Sequence, residues 1–239
     1  SRIIVQTESY PRDAFANWKK VQNNNYILGD FVWTALDYLG ESSIGRWYYP
    51  GDKPGEHWEG VFFPWHGAYC GDIDLTGWSK PISHYRNMLY NDNEKLYMAV
   101  REPNPASGKI KLTGWAIWPT WESWTWPGYE GETASVDVYA NADEVELFLN
   151  GESLGRKSIG GVYVVTYEVP YHPGKLEAVS YLNGAEAGRT VLQTAGKAVK
   201  LKVEADRNEL PADGESLTFV KIRLEDAAGN FNRRESAAV

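Results

Sequence analysis

The feature that most constrains this 239-residue chain is a change of hydrophobic period near Tyr90. Before it, short apolar runs are separated by stretches with helical spacing. After it, residues alternate in twos between turn signals. Period two puts successive side chains on opposite faces of a strand, whereas a helix repeats every 3.6 residues. The two patterns in succession predict an α/β portion followed by an all-β portion.

The α/β portion opens on Ile3-Ile4-Val5, an apolar run that leads to a lone carboxylate, Glu8. Such a run suits a strand buried on both faces, as in parallel sheets. Pro11 then starts a helix, with Phe15, Trp18 and Val21 at about helical spacing and Asn23-Asn24-Asn25 as its stop. Tyr26 to Trp33 reads as a second buried strand. Strand, helix and strand form a βαβ unit, so parallel pairing is expected. A long excursion rich in Gly and aromatics runs to about Thr76, and Lys80 to Tyr90 reads as another helix. Loops of that length in compact domains are functional or disordered, and the aromatic content speaks against disorder.

In the all-β portion, Lys95–Val100, Ser135–Tyr139, Val145–Leu149, Val162–Val169 and Lys175–Tyr181 read as strands. Asn150-Gly151 and Asn183-Gly184 are hairpin turns, because Asn-Gly tolerates the positive φ angles of a type I′ turn. Short strands with turns every ten or so residues predict a sandwich. From Val199 a second set begins, with Leu201–Glu204, a turn at Asp213-Gly214, and Leu217–Leu224. Two or three strands cannot enclose a sandwich core. The expected division is therefore 1–95, 96–197 and 198–239, the last being the opening of a further domain and the whole a part of something longer.

Composition removes several functions. A net charge of −8 argues against a nucleic-acid partner, which needs clustered Lys and Arg. No apolar run approaches a membrane span, so no membrane partner is expected, and no secretory leader pattern is visible. The single Cys70 forms no internal disulfide. His57, His66, His84 and His172 lack metal-ligand spacing, so neither a metal nor another cofactor is called for. What stands out is eleven Trp and fifteen Tyr, whose flat apolar faces with polar handles suit cores, interfaces and sugar clefts.

Three ordered stretches carry a family resemblance: Thr7-Glu8-Ser9, then Gly29-Asp30-Phe31-Val32-Trp33-Thr34-Ala35-Leu36-Asp37-Tyr38-Leu39-Gly40-Glu41, then Cys70-Gly71-Asp72-Ile73-Asp74-Leu75-Thr76-Gly77-Trp78-Ser79-Lys80-Pro81. Together they resemble the last barrel strands of family 2 glycoside hydrolases, the β-galactosidase and β-glucuronidase group. Asn141 to Gly155 resembles the sandwich that follows the barrel in a bacterial β-galactosidase-like branch, and the tail from Val199 resembles a further immunoglobulin-like domain. The resemblance implies the last strands and helices of a (β/α)8 TIM barrel, then an immunoglobulin-like β-sandwich and the start of another. It also implies a carbohydrate substrate and, by analogy, a periplasmic or extracellular enzyme.

Residue by residue, Glu8 matches the family's nucleophile, which attacks the anomeric carbon while a second carboxylic acid protonates the leaving oxygen. Retention of configuration needs the two carboxyl groups about 5–5.5 Å apart. That acid belongs to the fourth barrel strand, and Glu41, Glu56 and Glu59 match no acid/base motif. Trp33 matches the Trp that walls the sugar subsite. Asp72 aligns with a subsite position that is Asn in some β-galactosidases and Lys in β-glucuronidases. An Asp there would repel a substrate carboxylate, which favours a neutral sugar such as galactose. Asp37 is a candidate for holding sugar hydroxyls or for ordering its own loop, and Tyr10 is a further candidate beside the nucleophile.

Plainer readings compete with each of these. A strand-end Glu can be a solvated carboxylate, and Trp33 can simply fill a barrel mouth. Trp115, Trp118, Trp121, Trp124 and Trp126 could form a sugar platform, but their irregular spacing and the interrupting Pro119 favour packing. Cys70 reads as a small buried residue. For the whole chain the alternative is a non-catalytic carbohydrate-binding or spacer module.

Overall fold

Asn150 and Asn183 both take up a φ of 52°, and the glycines that follow them stand at 87° and 79°, so each Asn-Gly pair closes a hairpin as its chemistry demands. The computed structural model describes residues 2–40, 44–53, 67–90 and 94–236. Glu41, Glu56, Glu59, His57 and His66 lie outside the described residues.

Strand β1 (Ile4–Ser9) leads through a 3-10 turn at Pro11–Asp13 into helix α1 (Ala14–Asn23) and strand β2 (Ile27–Val32). β1 and β2 pair in parallel, with Ile4 opposite Ile27 and Ser9 opposite Val32. A parallel pair needs a crossover, and α1 supplies it. Among its described residues the excursion that follows has the short strands β3 (Tyr38–Leu39), β4 (Trp47–Tyr48) and β5 (Gly67–Ala68), before helix α2 (Pro81–Tyr90). β3 pairs with β5.

The remainder among the described residues is strand: β6 (Leu96–Arg101), β7 (Lys111–Leu112), β8 (Thr120–Trp121), β9 (Thr133–Ala140), β10 (Glu144–Leu149), β11 (Glu152–Ser158), β12 (Val164–Pro170), β13 (Lys175–Leu182), β14 (Ala185–Gln193), β15 (Lys200–Ala205) and β16 (Val220–Glu225). Two four-stranded antiparallel sheets result, in the orders β12-β9-β6-β8 and β11-β10-β13-β14. Their facing side chains form one core, including Met98, Val136 and Val138 from the first sheet and Val145, Leu147 and Leu176 from the second. Trp124 and Trp126, at 0% and 1% exposed, fill the same core. For those two indoles the packing reading is the right one.

The first sheet has a second covered face. Tyr97, Ala99 and Tyr139 point away from the sandwich and pack with Met88 of α2. Tyr85 of α2 lies against Tyr139, with ring centroids 5.3 Å apart, and donates to the Val162 carbonyl at 2.6 Å. Phe15 of α1 stacks on Tyr85, and Trp18 meets Tyr163 edge-on. Cover on both sides explains why β6 is buried at four consecutive positions instead of alternate ones. The helices therefore form a third layer, and this contact ties the βαβ unit to the sandwich.

One expectation does not hold. β1 and β2 were expected to be buried on both faces, yet Ile4, Val5, Leu28 and Phe31 are 47%, 40%, 74% and 67% exposed. These two strands form a sheet of their own, with α1 packed along β2. One helix layer covers one face, and the described residues supply nothing for the other. β11 and β14 were not foreseen as strands in their own right. Every residue of β11 is exposed, so it has no apolar stripe to read.

Candidate active site

Glu8 stands near the C-terminal end of β1, where the strand passes from exposed residues to the fully buried Ser9. Its carboxylate is solvent-exposed and accepts a hydrogen bond from the Tyr10 hydroxyl at 3.0 Å on Oε2. Tyr10 is itself held: its ring stacks on Trp115 with centroids 5.2 Å apart and planes 25° from parallel. Arg12 donates from Nη1 to the neighbouring Gly114 carbonyl. Two contacts thus staple residues 114–115 over the turn after β1. Residues about a hundred positions further along the chain hold the tyrosine that bonds the nucleophile candidate.

Trp33 follows β2 and donates its backbone N–H to the Ser9 carbonyl at 2.8 Å, which sets the ends of the two strands side by side. The indole is half-buried; its Nε1 donates to the Tyr38 hydroxyl at 3.2 Å and the two rings meet edge-on. Glu8, Tyr10 and Trp33 accordingly gather at one end of the parallel pair, the end where α/β folds place ligands.

Asp37 and Asp72 are placed differently. Residues 34–37 are bonded to residues 70–73, with Thr34 N–H on the Cys70 carbonyl (3.3 Å), Asp72 N–H on the Thr34 carbonyl (3.0 Å) and Asp37 N–H on the Ile73 carbonyl (2.8 Å). The approach is so close that a Cβ on Gly71 would lie 2.2 Å from the Asp37 nitrogen. Asp37, 6% exposed, accepts from Gly71 N–H at 2.8 Å and from Lys80 Nζ at 2.6 Å. Burial raises its carboxyl above the usual range against the pull of Lys80. Asp72, 9% exposed, is ion-paired with Arg86 Nε at 2.6 Å. It too is raised by burial, with Arg86 opposing. Each of these two carboxylates has a cation from α2 or its approach as partner, Lys80 for Asp37 and Arg86 for Asp72. Cys70 is buried beside them, as its size suggests.

Sequence reasoning missed Trp115, Lys80 and Arg86 as partners, since none carries a local pattern that points to Tyr10, Asp37 or Asp72. Among the described residues no group of His, Cys, Asp and Glu could hold a metal ion. Among the described residues no helix is long and apolar enough to cross a membrane.

Comparisons with known proteins bear on this arrangement. A family profile described as a domain of unknown function, DUF4982, matches residues 131–188, which run from β9 into β14. A β-galactosidase from Bacteroides ovatus is 30% identical over 218 residues, or 89% of this chain and 21% of that protein. A crystal structure of a glycosyl hydrolase family 2 member from Bacteroides cellulosilyticus is 39% identical, with a TM-score of 0.84 over 97% of this chain and 30% of that one. The chain belongs with the family 2 glycoside hydrolases. A second family 2 structure from the same species is 36% identical with a TM-score of 0.78, over 98% of this chain and 28% of that one. The present family 2 segment therefore spans about a fifth of the curated relative and under a third of the solved structures.

Proposed function

We propose that this chain is the part of a retaining β-glycosidase that carries the nucleophile, Glu8, and acts on β-galactosides or a related neutral β-glycoside. In this reading residues 1–95 are the end of a (β/α)8 catalytic barrel, 96–197 an immunoglobulin-like sandwich and 198–239 the start of another such domain. The observation that carries the reading is the 2.8 Å bond between Trp33 N–H and the Ser9 carbonyl. It holds a carboxylate and an indole at adjacent strand ends, as a nucleophile beside a sugar-stacking wall requires.

The chemistry follows from that pairing. The Glu8 carboxylate attacks the anomeric carbon and forms a glycosyl-enzyme ester, while a second carboxylic acid outside these residues gives its proton to the leaving oxygen. Water, deprotonated by that same residue, then breaks the ester, and two inversions give retention. Tyr10 fixes Oε2, which leaves Oε1 for attack. Trp33 presents an apolar face to the C–H groups of the ring. Asp37 and Asp72 act at one remove, by locking residues 70–80 against the strand ends. The absence of a cation at position 72 suits an uncharged sugar.

In the enzyme that contains this chain, Glu8→Gln is expected to lower kcat on an aryl β-galactoside by roughly 10³-fold or more with little change in KM. Glu8→Gly with azide is expected to yield the α-glycosyl azide, because azide then occupies the face left by the carboxylate. Wild-type turnover by either variant overturns the assignment.

A further inference from the structure

A second cavity, of about 250 Å³, opens between residues 69–81, residues 117–122 and the Arg233 side chain, and neither Glu8, Tyr10 nor Trp33 lines it. Aromatic rings make its walls, chief among them Trp78, Tyr97, Trp118 and Trp121. Their planes are fixed from outside. Trp118 Nε1 donates to the Glu102 carbonyl at 2.9 Å and Trp121 Nε1 to Glu102 Oε2 at 2.8 Å. Tyr97 is stacked on His84 with centroids 3.7 Å apart. Among the described residues no other ring stacks on Trp118, so this indole lines the cavity without an aromatic partner.

The polar groups are few and unfinished. The Arg233 guanidinium lies over Trp78 and Trp121, at 4.5 and 5.4 Å from their ring centroids, and its buried Nε finds no acceptor among the described residues. A buried donor without a partner is costly, and its side chain lines the cavity, so the guanidinium is the cation there with hydrogen-bonding capacity to spare. Glu122 lines the same space. Lys80, the other cation there, is committed to Asp37 at 2.6 Å. Pinned aromatic faces, a guanidinium with an unpaired donor and the carboxylates of the lining suit a guest with C–H faces and hydroxyls that both donate and accept. Asp74 and Glu122 in the lining disfavour an anion.

We propose that this cavity is a second carbohydrate site, which takes one neutral pyranose ring by stacking on Trp118 and hydrogen bonding to Arg233. Ligand pockets of about 300–1,000 Å³ hold drug-sized molecules, so a cavity slightly smaller admits about one ring. The cavity stands on its own geometry; the choice of a sugar as guest rests on the reading of the chain as part of a β-glycosidase.

Calorimetric titration of the full 239-residue chain with methyl β-galactoside and methyl β-glucoside tests the proposal. Saturable binding is expected to survive Glu8→Gln and Trp33→Ala and to weaken by about tenfold or more in Trp118→Ala. Arg233→Gln, which truncates no ring, is expected to weaken it several-fold and decides the matter if Trp118→Ala fails to fold. Loss of binding in Trp33→Ala with Arg233→Gln unaffected puts the sugar at the strand ends and overturns the second site. No saturable binding of either sugar at millimolar concentrations also overturns it. Wild-type turnover by Glu8→Gln alongside binding that depends on Arg233 sinks the nucleophile assignment and leaves the cavity standing.

Discussion

The sandwich and the β15–β16 ribbon have the same alternating sequence pattern and opposite fates. In β9, Ala134, Val136 and Val138 are 0–1% exposed. In the ribbon, Leu201, Val203 and Ala205 stand opposite Leu224, Ile222 and Val220, all on one face. The other face carries the charges, with Arg223 paired to Glu204 at 3.1 Å and to Glu225 at 3.3 Å. The charged face is satisfied within the ribbon, yet Val203 and Ile222 remain 57% and 64% exposed. β1 and β2 repeat the contrast with Val5 and Phe31. Alternation thus specifies a strand and the face that needs cover. The cover itself comes from another layer, which the sandwich has and these strands lack among the described residues.

The sharpest way to break this comparison is at the sandwich core. Trp124 is fully buried, its ring meets Tyr171 edge-on and its Nε1 donates to the His172 carbonyl at 3.0 Å. Trp124→Ala removes a large ring and orphans that carbonyl. It is expected to cost about 3–5 kcal/mol, read from urea midpoints with the slope unchanged. A cost below about 1 kcal/mol would mean the sandwich is not what holds the chain together.

A smaller effect comes from the ion pair between Asp72 and Arg86 of α2, the helix that covers the outer face of the first sheet. Burial raises the Asp72 carboxyl above its ordinary 3.8, with Arg86 and Lys80 opposing. A raised folded value means that the native state holds the proton more tightly than the unfolded chain. The contribution of Asp72 is then fully present below its ordinary value and is lost as pH rises through the folded one. The stability of wild type relative to Asp72→Asn should therefore fall as pH is raised from about 4 toward neutrality, measured by paired urea titrations. A difference that grows with pH would show that the ion pair outweighs burial.

The βαβ unit, both helices, the two Asn-Gly hairpins and the grouping of Glu8 with Trp33 were legible in the sequence, because each rests on local spacing or on an ordered motif. Three kinds of feature were not. Polar edge strands such as β11 leave no apolar stripe. Two-residue strands such as β4 and β7 exist only because they pair with each other across the fold. The charge partners of Asp37 and Asp72 lie 43 and 14 residues away, and nothing local in either aspartate tells a carboxylate facing a sugar from one facing a lysine. β1 and β2 read as buried runs and stand exposed in this chain, which spans under a third of the solved structures it matches.

That exposure gives the smallest predicted effect. Phe31 in β2 and Ile222 in β16 are both about two-thirds exposed, at 67% and 64%. Polar replacements at such sites forfeit little transfer free energy, since most of the side chain already meets water. In the 239-residue chain, Phe31→Ser and Ile222→Ser should each stay within about 0.5 kcal/mol of the parent. Dye binding to exposed apolar surface should fall in both, because uncovered apolar strand faces are the surface such dyes find. If either replacement costs about 2 kcal/mol or more, that strand is covered in solution. A midpoint that rises with protein concentration would then identify the cover as a second copy of the chain.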